Sequence, residues 1–202
     1  MVADQLAGRG IHDERVLRAM AKVPRELFVD PRDRGRAYRD MPLRIGHGQT
    51  ISQPYMVALI CSVAEVRAGD RVLDIGTGSG YQAAVLSELG AQVHTVERIP
   101  ELALRARERL AAAGYADVEV HVGDGSLGLP EHGPYDAIVV AAAAPSMPES
   151  LYEELRVRGR LVVPVGGPEG QRLEVIVRSP EGPAVSRSVP CRFVPLVGAE
   201  GF

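Results

Sequence analysis

A chain of 202 residues in which 46% of the side chains are hydrophobic is long enough to bury one sizeable core, so a single domain is expected. Its 23 basic and 26 acidic side chains leave a formal net charge of −3, without the basic field that phosphate neutralisation requires, and nucleic acid is not an expected partner. The opening MVADQLAGRG lacks the basic start and apolar run of a secretory leader, and the longest apolar stretch, Ala137 to Pro145, falls short of the roughly 20 residues that span a bilayer. A cytoplasmic protein without a membrane partner is the expectation, with oligomeric state left open and a monomer as the default. Cys61 and Cys191 stand far apart without metal-ligand or redox spacing, so both read as reduced, and no metal site is expected.

In chain order, the first seventy residues read as a helical and looped cap. A helical signal runs from His12 to Met20, with Val16, Leu17 and Met20 on one side, and Pro24, Pro31, Pro42 and Pro54 then act as breaks. From residue 71 short apolar runs alternate with amphipathic stretches, the pattern of βαβ units. The predicted strands are Arg71 to Ile75, Gln92 to Glu97, Val118 to Val122, Asp136 to Ala141 and Arg160 to Val165. The predicted helices run from Tyr81 to Gly90, from Glu101 to Ala113 with Leu102, Ala106 and Leu110 at four-residue spacing, and from Pro148 to Leu155. After Gly166, Gly167 and Gly170, the alternation at Leu173, Val175 and Val177 predicts an antiparallel strand. These elements amount to an α/β, doubly wound, mostly parallel sheet in one domain, 1–202, divided into a cap (1–70), a ligand-binding core (71–166) and strands that close the sheet (167–202).

The strongest local signal is Leu73-Asp74-Ile75-Gly76-Thr77-Gly78-Ser79-Gly80, a glycine turn between a strand and a helix, where doubly wound sheets bind ligands. Glycine lets a nucleoside lie against bare backbone. The spacing is G-x-G-x-G, which disfavours the pyrophosphate of a dinucleotide, and Asp74 would repel it further. A carboxylate there suits a ligand carrying an ammonium and a sulfonium, such as S-adenosyl-L-methionine. Glu97 ends the second predicted strand, where it can accept from both ribose hydroxyls; Asp124 follows the third, beside Gly125, where it can take an adenine amino group. Each acid can equally cap the next helix or sit in solvent.

The glycine turn alone indicates a class I, Rossmann-like methyltransferase. Together with Val23-Pro24-Arg25-Glu26, the run Gly46 to Met56, Val96-Glu97-Arg98, Gly123-Asp124-Gly125, Tyr135 to Val140, Gly159 to Gly166 and Phe193-Val194-Pro195-Leu196, it resembles the protein-L-isoaspartate O-methyltransferase family along almost the whole chain. The resemblance implies methyl transfer from S-adenosyl-L-methionine to the free α-carboxylate of isoaspartyl residues in damaged peptides and proteins. It also implies that Gly76, Thr77, Gly78, Ser79, Gly80 and Arg98 belong to the cofactor site. The chain departs from the family pattern at Ala141, where threonine is usual, and at Arg158, where a glycine is usual.

Such chemistry needs little machinery, because an α-carboxylate titrates near about 3.5 and is already ionised at neutral pH. Placement of the acceptor is the main requirement. Ser52 is the first candidate, its hydroxyl donating to one carboxylate oxygen and leaving the other free to attack; the resemblance points to the same serine, although Ser52 can equally cap a helix starting near Pro54. Thr50 and Gln53 can line the methionine end of the cofactor. Val194 and Leu196 read either as a wall for the peptide or as plain core strand. His47 reads as a loop residue. Two other functions compete: a class I methyltransferase acting on a small molecule or RNA, and a cofactor-binding module without catalysis.

Overall fold

The computed structural model describes the backbone of residues 1–202 and every side chain outside 186–188. Helix α1 (Glu14–Lys22) begins where the Asp13 carboxylate accepts the N–H groups of Arg15 and Val16, and it turns Val16, Ala19 and Met20 inward. Tight helical turns follow at Arg25–Leu27 and Pro31–Arg36. The cap also contains a hairpin that periodicity did not predict, β1 (Leu43–Gly46) with β2 (Gln49–Ile51), turned by Gly46, His47 and Gly48 at φ of 96°, 51° and 73°. His47 therefore sits at the hairpin turn. Helix α2 (Pro54–Val63) leads from the hairpin to the sheet.

The core continues through β3 (Arg71–Ile75), α3 (Tyr81–Glu88), β4 (Gln92–Glu97), α4 (Pro100–Ala112), β5 (Glu119–Val122) and β6 (Tyr135–Val140). It ends with α5 (Glu149–Glu153), β7 (Leu155–Gly167), β8 (Gly170–Ser179) and β9 (Gly182–Cys191). The strands form one seven-stranded sheet in the order β5-β4-β3-β6-β7-β8-β9, parallel from β5 to β7 and antiparallel beyond. Strands β3 and β4 have the expected bounds. β7 starts at Leu155 rather than Arg160, which shortens α5, and a second antiparallel strand, β9, completes the closing hairpin. At the start of β7, Arg158 adopts φ of 71°, the left-handed conformation that glycine takes without strain.

The two faces of the sheet are covered unequally. Val72, Val93, Ala137, Val139 and Val162 join residues of α1, α2, α3 and α4 in the larger core cluster. On the other face Leu73, Ile75, Val96, Ile138 and Val140 meet Leu151 and Tyr152 of α5, together with Leu196 from the C-terminal segment. Alternation along β3 and β4 thus assigns Asp74 and Thr95 to the helix-rich face. The strand order reverses at β3, which lies between β4 and β6, and a crevice opens there at the carboxyl ends of the strands.

Candidate active site

The chain leaves β3 through a turn in which the N–H groups of Gly76 and Thr77 both donate to Val96 O, at 2.9 and 3.3 Å. Gly80 has φ of 89°, and a Cβ there would lie 3.1 Å from Leu110 Cγ, so only glycine lets α3 start this close to α4. A cleft of about 870 Å³, its open mouth included, spreads from this turn. Gly76, Thr77, Gly78, Ser79, Glu97, Arg98, Gly125 and Ala141 line it at the strand ends; Thr50, Ser52, Val194 and Leu196 are also among its walls. Gly80, Asp74, Asp124 and Gln53 are not among its walls.

The three strand-end acids have separate environments. Glu97 is 6% exposed, its Oε2 accepting Gly78 N–H at 2.8 Å and its Oε1 accepting Ile99 N–H at 3.0 Å. Of the roughly four lone pairs of a carboxylate, about two remain, one on each oxygen, facing a cleft that the side chain lines. Asp74 is fully buried beneath α3, accepting from Gln82 Nε2 at 2.7 Å and from Thr95 Oγ1 at 2.8 Å. Burial pushes its carboxyl up to about 6, against the lowering effect of those two bonds. It therefore stands behind the turn and outside the cleft walls, covered by α3 through Gln82.

Asp124 caps the turn that follows β5. Its Oδ1 accepts from the N–H and hydroxyl of Ser126 at 3.0 and 2.7 Å, and its Oδ2 accepts Ala199 N–H at 2.7 Å. Partial burial pulls this carboxyl upward, yet these bonds hold it below its ordinary value. Only about one lone pair is left free. Gly125, beside it, packs where a Cβ would approach Ile75 Cγ2 to 2.7 Å, so backbone alone forms that part of the wall.

Ser52 lies half-buried where the main cleft meets a neighbouring one lined by Pro42, Gln53, Met56, Arg192 and Phe193. It does not cap α2: the N-cap is Gln53, with no side-chain capping bond, and the Ser52 hydroxyl makes no hydrogen bond to the described residues. Gln53 donates to Asp40 Oδ2 at 3.3 Å and faces the neighbouring cleft instead of the main one. Val194 and Leu196 are held against the segment that follows β6 by Ala143, whose N–H donates to Val194 O at 2.8 Å and whose O accepts Leu196 N–H at 2.7 Å. The two are both packed core and cleft wall.

Two residues stand out to which the motifs assigned no role. Gln82 lines the cleft, and while its amide nitrogen is committed to Asp74, its Oε1 is buried with no partner among the described residues. That orphaned acceptor fits a ligand with N–H donors. Arg25 is 0% exposed; its Nε donates to Ala37 O at 2.8 Å and its Nη2 to Ser52 O at 2.7 Å, which fixes the backbone at Ser52. Neither carries a spacing signal, since each is read only from a contact made across the fold.

A sheet of this order, with a glycine turn at the end of β3 and a cleft between turn and C-terminal segment, defines a class I S-adenosylmethionine-dependent methyltransferase. A family profile described as protein-L-isoaspartate(D-aspartate) O-methyltransferase matches residues 1–201, and the chain belongs to that family. It is 54% identical over 197 residues to protein-L-isoaspartate O-methyltransferase of Gloeobacter violaceus, covering 97% of this chain and 96% of that one. It is 55% identical over 204 residues to protein-L-isoaspartate O-methyltransferase 2 of Pelobacter propionicus, covering 100% and 91%. Among solved structures, a Plasmodium falciparum chain named as a protein-L-isoaspartate O-methyltransferase, in complex with S-adenosyl-L-homocysteine, superposes with a TM-score of 0.85 at 27% identity, covering 97% and 96%.

Proposed function

We propose that this chain methylates the free α-carboxylate of L-isoaspartyl residues in damaged peptides and proteins, with S-adenosyl-L-methionine as the donor. The observation that carries the reading is Ser52, a hydroxyl without a partner among the described residues, placed where the two clefts meet. When bound, the donor supplies an electrophilic methyl group on a sulfonium and departs as a neutral thioether. The acceptor is ionised at neutral pH, so no side chain has to remove a proton. Ser52 donates to one carboxylate oxygen and leaves the other to attack, and Arg25 keeps the Ser52 backbone in place. Alignment is the chain's catalytic contribution.

In the same reading the main cleft holds the donor. The two remaining lone pairs of Glu97 match the two hydroxyls of a ribose, and the one left on Asp124, with the bare backbone of Gly125, serves the adenine edge. Gln82 Oε1 accepts from the ammonium group, and Asp74 supplies negative charge behind the glycine turn. Thr50, Ser79 and Arg98 line the rest, Gln53 faces the peptide cleft, and Val194 and Leu196 wall the peptide main chain.

Among the described residues no helix is long and apolar enough to cross a membrane. Both cysteines are unpaired, which suits the reducing cytoplasm proposed as the setting. The test uses labelled S-adenosyl-L-methionine and paired peptides that differ only in one aspartyl or isoaspartyl linkage. Base-labile label in the isoaspartyl peptide alone is expected; equal labelling of both, or of neither, refutes the proposal.

A further inference from the structure

Three of the five histidines in the chain, none of them part of the motifs above, meet in space: His94 on β4, His121 on β5 and His132 in the tight turn Pro130–His132 before β6. One ligand atom from each lies within 4.8 Å of the others. We propose that His94, His121 and His132 form a binding site for a divalent transition-metal ion of zinc or cobalt type, at the β5 edge of the sheet and outside the methyl-transfer cleft.

The spacing carries the argument. Two imidazole nitrogens bound to one tetrahedral ion at about 2.0–2.1 Å stand about 3.3–3.4 Å apart. His94 Nδ1 and His121 Nε2 are 3.3 Å apart. The His132 ring lies 4.4 Å from that of His94 and 5.0 Å from that of His121, centroid to centroid, so a small turn of an imidazole on a surface loop completes the set. That His–His contact is the one hydrogen bond that any of the three rings makes among the described residues, which leaves nitrogen lone pairs for a metal.

The surroundings fit as well. Glu119 Oε2 lies 3.8 Å from His94 Nδ1, so a carboxylate stands beside the three rings. Arg71 Nη1 donates to the carbonyls of His132 and Gly133 at 3.1 and 3.2 Å, so its charge is tied to the turn that carries His132. An imidazole-rich set with a carboxylate selects zinc, cobalt, nickel or copper over magnesium or calcium.

Occupancy would fasten the edge strand β5 and the turn before β6 to β4, and binding to the folded state alone raises stability by mass action. The test titrates the untagged full-length chain, stripped of metal, with cobalt(II) and with zinc. Tetrahedral cobalt absorption that zinc displaces, and a zinc-dependent rise in melting temperature, are expected. His132→Gln, on a surface turn that tolerates the change, should weaken cobalt binding by more than about tenfold, and the H121A/H132A pair should abolish both signals. Wild-type protein without cobalt bands and without a zinc-dependent shift overturns the proposal. Bands of unchanged intensity and affinity in His132→Gln do so too.

Discussion

Arg25→Met replaces a buried guanidinium with an apolar side chain of similar length, and two carbonyls, Ala37 O and Ser52 O, lose their donors. Hydrogen bonds from a charged group contribute about 1.5–3 kcal/mol each, and the Arg25 Cζ also lies 4.7 Å from the Tyr81 ring centroid, a cation–π contact of about 1 kcal/mol or more. Opposing this is the cost of holding the charge away from water. Burial lowers the pKa of Arg25, and its Nη1 has no hydrogen-bond partner among the described residues. The balance is a destabilisation of about 2–4 kcal/mol, the range expected when buried carbonyls are left without donors. Ser52 is released from its anchor, and misplacement of a positioning group by about 1 Å costs on the order of a hundredfold in rate. Arg25 does not line the cofactor cleft, so affinity for S-adenosyl-L-methionine should stay within about threefold of wild type. Denaturant unfolding, calorimetry with the donor and steady-state rates on an isoaspartyl peptide separate the three effects. Arg25→Lys, which reaches one carbonyl and not both, should recover only part of the rate. A variant that loses stability yet keeps its turnover number would show that Arg25 serves the fold alone.

Ser52→Ala should lower turnover by about tenfold or more with little change in melting temperature or donor affinity, because the hydroxyl caps nothing; unchanged turnover on isoaspartyl peptide removes Ser52 from the mechanism. Glu97→Ala deprives Gly78 N–H and Ile99 N–H of their acceptor and the ribose of its partner, so calorimetry should find donor binding weakened by about a hundredfold, and intact affinity argues against the assignment. Asp74 gives a pH signature: its folded carboxyl keeps a proton up to about 6 while the unfolded one releases it near 3.8, so the folded state binds more protons in that window. Stability should therefore fall by about 3 kcal/mol as pH rises from about 4 to 6 and then level off. Urea midpoints across that range measure it, and the same decline surviving in Asp74→Asn would assign it to another group.

Periodicity recovered the strands whose side chains are buried on both faces, since β3 and β4 leave little choice of register or length. The β1–β2 hairpin escaped because its strands are three and four residues long and its turn is Gly-His-Gly, without alternation to read. The boundary of β7 was misplaced because Arg156, Val157 and Arg158 are exposed and look like loop, though they continue the strand. At the site, the placement of Glu97 and the glycine turn on the cleft was legible from their position at strand ends. The partners of Asp74 were not, because nothing in linear order says that this acid meets Gln82 and Thr95. Arg25 and the histidine cluster share that reason: their partners lie 27 residues away or more in some contacts, and only folding joins them.

The wall formed by Val194 and Leu196 has a consequence for how the protein comes into being. Residues 71–98 supply a strand, a helix and a second strand early in synthesis, yet the cleft they face lacks one side until the segment around residue 196 docks on Ala143. A ribosome-bound chain that has not yet reached that point holds an incomplete pocket, so capacity for ligand should arise late, after the sheet itself has begun to assemble.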